Sequence, residues 1–128
     1  MVGPLWCHMN EIDIETFHGD YTTEVAAETA FHSAAGVVSV DPDALCGINL
    51  SRYWEGGLAV ADMAYRPGHA FGYIGDDQYF GSWQGNSVEM WTEVIDRLHA
   101  RYGLPVLACE WGYASGGALR DKPVDESV

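Results

Sequence analysis

Two carboxylates carry the chemistry that this sequence offers most directly. Glu110 is the single carboxylate in the apolar run LPVLACEWGYA, and Glu11 follows Asn10 near the other end of the chain. A glutamate buried among apolar residues is costly unless it is hydrogen-bonded or used. Glu110 is therefore either half of a structural ion pair or a working group. The difference 110 − 11 places it 99 positions beyond Glu11. Two carboxyl groups brought to about 5–5.5 Å can share a double displacement at the anomeric carbon of a sugar. In that reading Glu110 is the nucleophile and Glu11 the acid/base, Glu11 holding its proton while Glu110 is charged. Glu11 equally fits a solvated acidic turn with Asp13 and Glu15.

A sugar site also needs flat apolar contacts and polar anchors. Trp54, Trp83 and Trp111 fall near expected strand or loop ends and are candidates for a sugar-binding wall. Trp91 lies on a helical stripe and is expected in the core. Asn10 and Asn49 are candidate substrate-binding amides. Cys7, Cys46 and Cys109 are odd in number and widely spaced, which fits buried thiols rather than a disulfide framework or a CxxC metal pair. His8, His18, His32, His69 and His99 form no close ligand pair. No metal and no cofactor is expected.

The elements that must position these residues alternate along the chain. Val88, Trp91, Ile95, Leu98 and Tyr102 recur at three- and four-residue steps, so the spacing predicts a helix over 88–102 with Asn86 as N-cap and Gly103 after its end. The apolar run 104–113 predicts a buried strand with Glu110 toward its C-terminal end. That is where catalytic residues sit in parallel α/β barrels. A second helix is expected over 23–35, capped by Thr22 or Thr23 and stopped by Gly36. Strands are expected over 44–50 and over 4–14, the latter ending in the acidic stretch with Glu11. The stretch 56–83 is expected to be a hairpin or long ordered loop, with FGYIGDDQYFGSW turning at Gly75-Asp76-Asp77. This alternation predicts an α/β fold with mainly parallel strands, in one domain over 1–128.

A chain of 128 residues supplies about half of a closed barrel, which typically needs ~250. A homodimer or further barrel elements would complete one. The 19 acidic against 6 basic side chains give a formal charge of −13, which disfavours nucleic acid and anionic membranes as partners and suits a neutral carbohydrate. No apolar stretch reaches the ~20 residues of a membrane span, and MVGPLWCHMN does not read as a signal peptide. A cytoplasmic protein is expected.

The stretch RLHARYGLPVLACEWGYA resembles the segment of family 1 glycoside hydrolases in which a helix ending Arg-Leu-His-x-x-Tyr leads into a strand bearing Thr-Glu-Asn-Gly. DALCGINLSRYW is similar to that family's Gly-Ile-Asn strand, and AETAFHSAAG to its Ala-rich helix carrying Phe-His-Asn. The similar portion runs from about Asp43 to Tyr113. The resemblance implies the C-terminal part of a retaining (β/α)8-barrel glycosidase, β-glucosidase-like, with Glu110 as nucleophile and Gly47, Ile48 and Asn49 on a preceding strand. The family's Asn-Glu-Pro acid/base motif is matched in two positions by Asn10-Glu11-Ile12. An alternative alignment makes 4–14 the next strand of the barrel, without an acid/base role for Glu11. Trp111, Cys109 and Leu50 differ from the family's residues. A truncated, non-catalytic remnant or carbohydrate-binding module of the same fold is the other reading.

Overall fold

The computed structural model describes residues 3–14, 22–51, 55–80, 88–113, 118–119 and 122–123. Three βα steps and a closing strand dominate it: β1 (Leu5–Cys7), α1 (Thr23–Val40), β2 (Leu45–Gly47) with β3 (Asn49–Leu50), α2 (Glu55–Ala64), β4 (Ile74–Phe80), α3 (Val88–Tyr102) and β5 (Val106–Tyr113). A short antiparallel pair follows, β6 (Ala118–Leu119) and β7 (Lys122–Pro123). β1 pairs in parallel with β2, and β3, β4 and β5 form a parallel sheet in that order. The two sheets join through a parallel bridge between Cys46 and Phe71, and through the Gly75 N–H donating to the Ile48 carbonyl at 2.8 Å. Each neighbouring strand is reached by way of a helix, as parallel pairing requires. The fold is thus mixed α/β with parallel strands, as expected.

Helix α1 begins where Thr22 accepts a hydrogen bond from the Val25 N–H at 3.3 Å. It buries an alanine face, Ala26, Ala27, Ala30 and Ala34. Side chains this small let the helix backbone settle close to the strands, and the Cys46 thiol reaches the Ala34 carbonyl. The helix passes through Gly36 and ends at Val40, five residues beyond the expected stop at 35. One glycine costs a helix interior only about 1 kcal/mol, which is less than the gain from the turns that follow. The true stop is Asp41, whose carboxylate accepts from the Asp43 N–H at 3.2 Å in a local turn.

The segment expected as a hairpin is organised differently. Residues 55–64 form α2, which buries Gly57, Val60, Ala61 and Ala64. FGYIGDDQYF is one passage of the parallel sheet, with Asp76 and Asp77 both fully buried inside β4. Gly75 serves a close approach, not a turn: a Cβ there would stand 2.4 Å from the Cys109 sulfur and 2.9 Å from Asn49 Oδ1. Tyr65, just past α2, ties the layers together by donating to the Tyr73 carbonyl at 2.5 Å and accepting from the Ile48 N–H at 3.3 Å.

Helix α3 has the expected bounds, with Leu98 fully buried on its inner stripe. Gly103 takes φ +68° after it and donates to the His99 carbonyl at 2.8 Å, as a C-terminal cap does. The expected N-cap, Asn86, lies outside the described residues. Arg101 and Tyr102 at its end both bond Asp62 of α2. No helix of the described residues is long and apolar enough to cross a membrane.

Candidate functional site

The strand expected over 4–14 stops at Cys7, so Glu11 is not at a strand end. Beyond Cys7 the chain stays beside β3 but carries an extra residue. Asn49 donates its N–H to the Met9 carbonyl at 3.4 Å, and its carbonyl accepts from the N–H of Ile12 at 3.1 Å. A regular parallel ladder would place that second donor at residue 11, so the chain bulges at Asn10 and Glu11, which brings the Asn10 amide to Glu110. Met9 at φ 72° and Glu11 at φ 46° occupy the left-handed region that side chains larger than glycine seldom adopt. The surrounding structure holds them there. Ile12 is fully buried, and Asp13 accepts from the Ser51 N–H and hydroxyl, both at 2.7 Å. Asp13 is therefore a buried clamp and not part of a solvated acidic turn.

A second irregularity lies opposite. The β4–β5 register runs from Asp76 beside Ala108 to Asp77 beside Glu110, which leaves Cys109 as an extra residue in β5. That bulge sets Cys109 against Gly75 and carries Glu110 to the face of the sheet shared with Asp77 and Tyr79.

The two bulges meet. Asn10 donates from Nδ2 to Glu110 Oε1 at 3.1 Å, and the Tyr79 hydroxyl donates to Glu110 Oε2 at 2.6 Å. Both oxygens of Glu110 are thus held. Asn49, fully buried, donates from Nδ2 to Asn10 Oδ1 at 2.6 Å and to the two oxygens of Asp77 at 2.9 and 3.0 Å. β1 and β5 are the outer strands of the parallel run, and three spacings of about 4.8 Å would separate them in a flat sheet. Contact between Asn10 and Glu110 therefore needs both a curled sheet and the reach of the 8–13 turn.

Charge repulsion and burial shape the ionisation of these groups. Desolvation, then the charges of Glu110 and Asp13, raise Glu11 above the usual carboxylate range. Desolvation pushes Asp77 up to about 7, with Glu110 and Glu11 adding to it and the Asn49 bond opposing it. The bond to Glu110 and partial burial push the Tyr79 hydroxyl up to about 12. An open cleft of about 520 Å³ lies beside the cluster, lined in part by Leu5, Cys7, Asn10, Tyr73, Cys109 and Glu110. Desolvation, with Cys7 and the nearby carboxylates, pushes the Cys109 thiol up to about 11.

Of the residues singled out from sequence, the structure brings together Glu110, Asn10 and Asn49, and Glu11 is near enough to feel the charge of Glu110. Trp111 is 72% exposed and pairs in register with Gln78, on the sheet face opposite Asp77 and Glu110. Trp54 and Trp83 lie outside the described residues. Asp77 is not singled out by the sequence, and Tyr79 only as one more aromatic ring near a sugar site, because Gly75-Asp76-Asp77 has the composition of a turn. Read as a strand, the alternation of Gly75, Asp77 and Tyr79 would have put them on one face. No group of three or more His, Cys, Asp or Glu side chains among the described residues could hold a metal ion. In comparison with known proteins, the chain matches no family model, no curated protein and no solved structure.

Proposed function

We propose that this chain carries the catalytic carboxylates of a retaining O-glycoside hydrolase, on part of a (β/α) barrel. The observation that carries the reading is the seating of Glu110: a carboxylate near the C-terminal end of a parallel strand, with each oxygen held by one neutral donor, at the edge of an open cleft. Asn10 and Tyr79 fix the orientation of the attacking oxygens without neutralising their charge, as a nucleophile requires. The parallel strands β1 to β5 in sequential order, with functional groups at one end, are the arrangement that a segment of such a barrel would have.

In this mechanism Glu110 attacks the anomeric carbon while Glu11 gives its proton to the departing oxygen, leaving a glycosyl ester on Glu110. The raised affinity of Glu11 for its proton suits the first step. Part of that affinity comes from the charge of Glu110, which the ester removes. Glu11 then releases its proton more readily and can activate the water that completes hydrolysis. One electrostatic coupling thus serves both halves of the reaction.

The substrate class is a neutral carbohydrate, with the β-glucosidase-like specificity that the motif around Glu110 implies. Incubation with activated 2-deoxy-2-fluoro glycosides followed by intact-mass and peptide mapping should place one sugar on Glu110. Glu110→Gln should lose at least about 10³-fold in turnover with an unchanged fold. Unchanged turnover in that variant would remove the assignment. Sugar binding without hydrolysis or labelling would point to a non-catalytic carbohydrate-binding domain.

A further inference from the structure

We infer that Asp77 is a positioning residue for Glu110, acting through Asn49 and Asn10 in a hydrogen-bonded chain that holds only while Asp77 is ionised. The inference rests on Glu110 being the nucleophile as far as rates are concerned; the geometry of the chain stands without it.

The chain is directional. Asn49 has two amide hydrogens on Nδ2; one points at the Asp77 carboxylate at 2.9–3.0 Å and the other at Asn10 Oδ1 at 2.6 Å. Its amide oxygen is buried and has no hydrogen-bond partner. A buried acceptor left without a donor is costly, on the order of 1–3 kcal/mol. The opposite orientation of the amide is excluded by Asp77: it would set the amide oxygen against a carboxylate. Asp77 therefore dictates which way Asn49 points. Asn49 in turn fills Asn10 Oδ1, which directs Asn10 Nδ2 to Glu110 Oε1 at 3.1 Å.

Protonation of Asp77 removes that constraint. Its O–H can then donate to the Asn49 oxygen once the amide turns over, which gives that oxygen the partner it lacks. The turned amide no longer offers Nδ2 to Asn10, and the anchor on Glu110 loosens. The one bond formed is the O–H of Asp77, whose proton comes from solvent, and no bond between heavier atoms is made or broken. The groups facing Asp77 are Cys7 and Glu11 from the β1 side, Tyr79 on its own strand, and Cys109 and Glu110 on β5, while the adjacent Asp76 lies on the opposite face of β4 and is coupled to it only through its charge. Burial first, and then the charges of Glu110 and Glu11, raise the proton affinity of Asp77 against the pull of Asn49 and place the transition at about pH 7.

The test is a pH titration of the side-chain amide signals of Asn10 and Asn49 by 15N NMR on the full chain, paired with 2-fluoroglycoside labelling rates over the same range. The expected result is one shared midpoint near pH 7 for both amides, absent in Asp77→Asn. Where labelling occurs, its rate should fall as pH drops through that midpoint. In Asp77→Asn it should be about 10- to 100-fold slower and lack the midpoint. Asn10 signals that do not follow those of Asn49, or that keep the midpoint in Asp77→Asn, would overturn the inference. Equal labelling rates and pH profiles for the two proteins would do the same. If Asp77→Asn does not fold, the wild-type titration decides alone, because separate midpoints for the two amides already overturn it. Shared amide titration with no labelling at all would keep the chain and overturn the hydrolase reading instead.

Discussion

Burying a carboxylate inside a sheet has a price in protons, and Asp76 shows it more simply than the site does. Its side chain shares a sheet face with Gln78, which donates to one oxygen, while the other oxygen is buried without a partner. Desolvation, with Asp77 and Asp13 adding, pushes it from 3.8 up to about 7 against the pull of Gln78. A folded-state value above the unfolded one means that proton binding favours the fold. That contribution is complete below about pH 4 and is lost as pH rises through about 7. Asp76→Asn should therefore match wild type in stability near pH 4 and exceed it by up to about 4 kcal/mol at pH 8, measured by urea denaturation at both values. Asp77 titrates in the same window but ends in a hydrogen-bonded chain. Its replacement is expected to act on reactivity as well as stability.

At the scale of elements, the two bulges and the glycine between them set the site. Gly75→Ala would drive a methyl group into the Cys109 sulfur and Asn49 Oδ1, and lies 3.0 Å from the Ile48 carbonyl. The variant should lose about 2–3 kcal/mol in chemical denaturation, because sulfur, amide and backbone all have to move. Helix α3 and the presence of β5 were legible in the sequence because a strong 3.6-residue stripe and a short apolar run carry period and length together. The burial expected of β5 is not met: it is an outer strand, and none of its described residues is buried. The end of α1 was not, because a glycine in a helix is weaker punctuation than the Asp41 turn that follows. β4 was hidden by its composition. Gly-Asp-Asp normally marks a turn, and nothing local says that Asn49 and Gln78 will receive those carboxylates. Glu110 and Asn49 could be read from their neighbours in sequence. The bulge that brings Asn10 to Glu110 depends on pairing with β3, a contact about forty residues away.

For the whole molecule, charge is the dominant global term. A formal charge of −13 repels itself when the chain compacts. Ion pairs such as Arg66, just past α2, with Glu28 of α1, and Arg101 of α3 with Asp62 of α2, tie these elements together, but they lie at the surface and contribute little. Added salt should therefore stabilise the fold by screening: the melting temperature should rise by about 5 °C between about 0.02 and 0.5 M NaCl. An unchanged or lower value would show that the surface ion pairs outweigh the repulsion.

The thiols on the cleft wall give the protein a gauge of its own occupancy. Cys7 and Cys109 are reached by solvent, yet both hold their protons more tightly than a free cysteine. Thiolate is the reactive form, so alkylation at neutral pH should be slow and limited by how often a proton leaves. Anything seated in the cleft would shield both sulfurs together and leave the buried Cys46 unaffected. The alkylation half-lives of Cys7 and Cys109, compared with and without a candidate sugar, thus count filled clefts directly, whether or not a bond is ever cleaved.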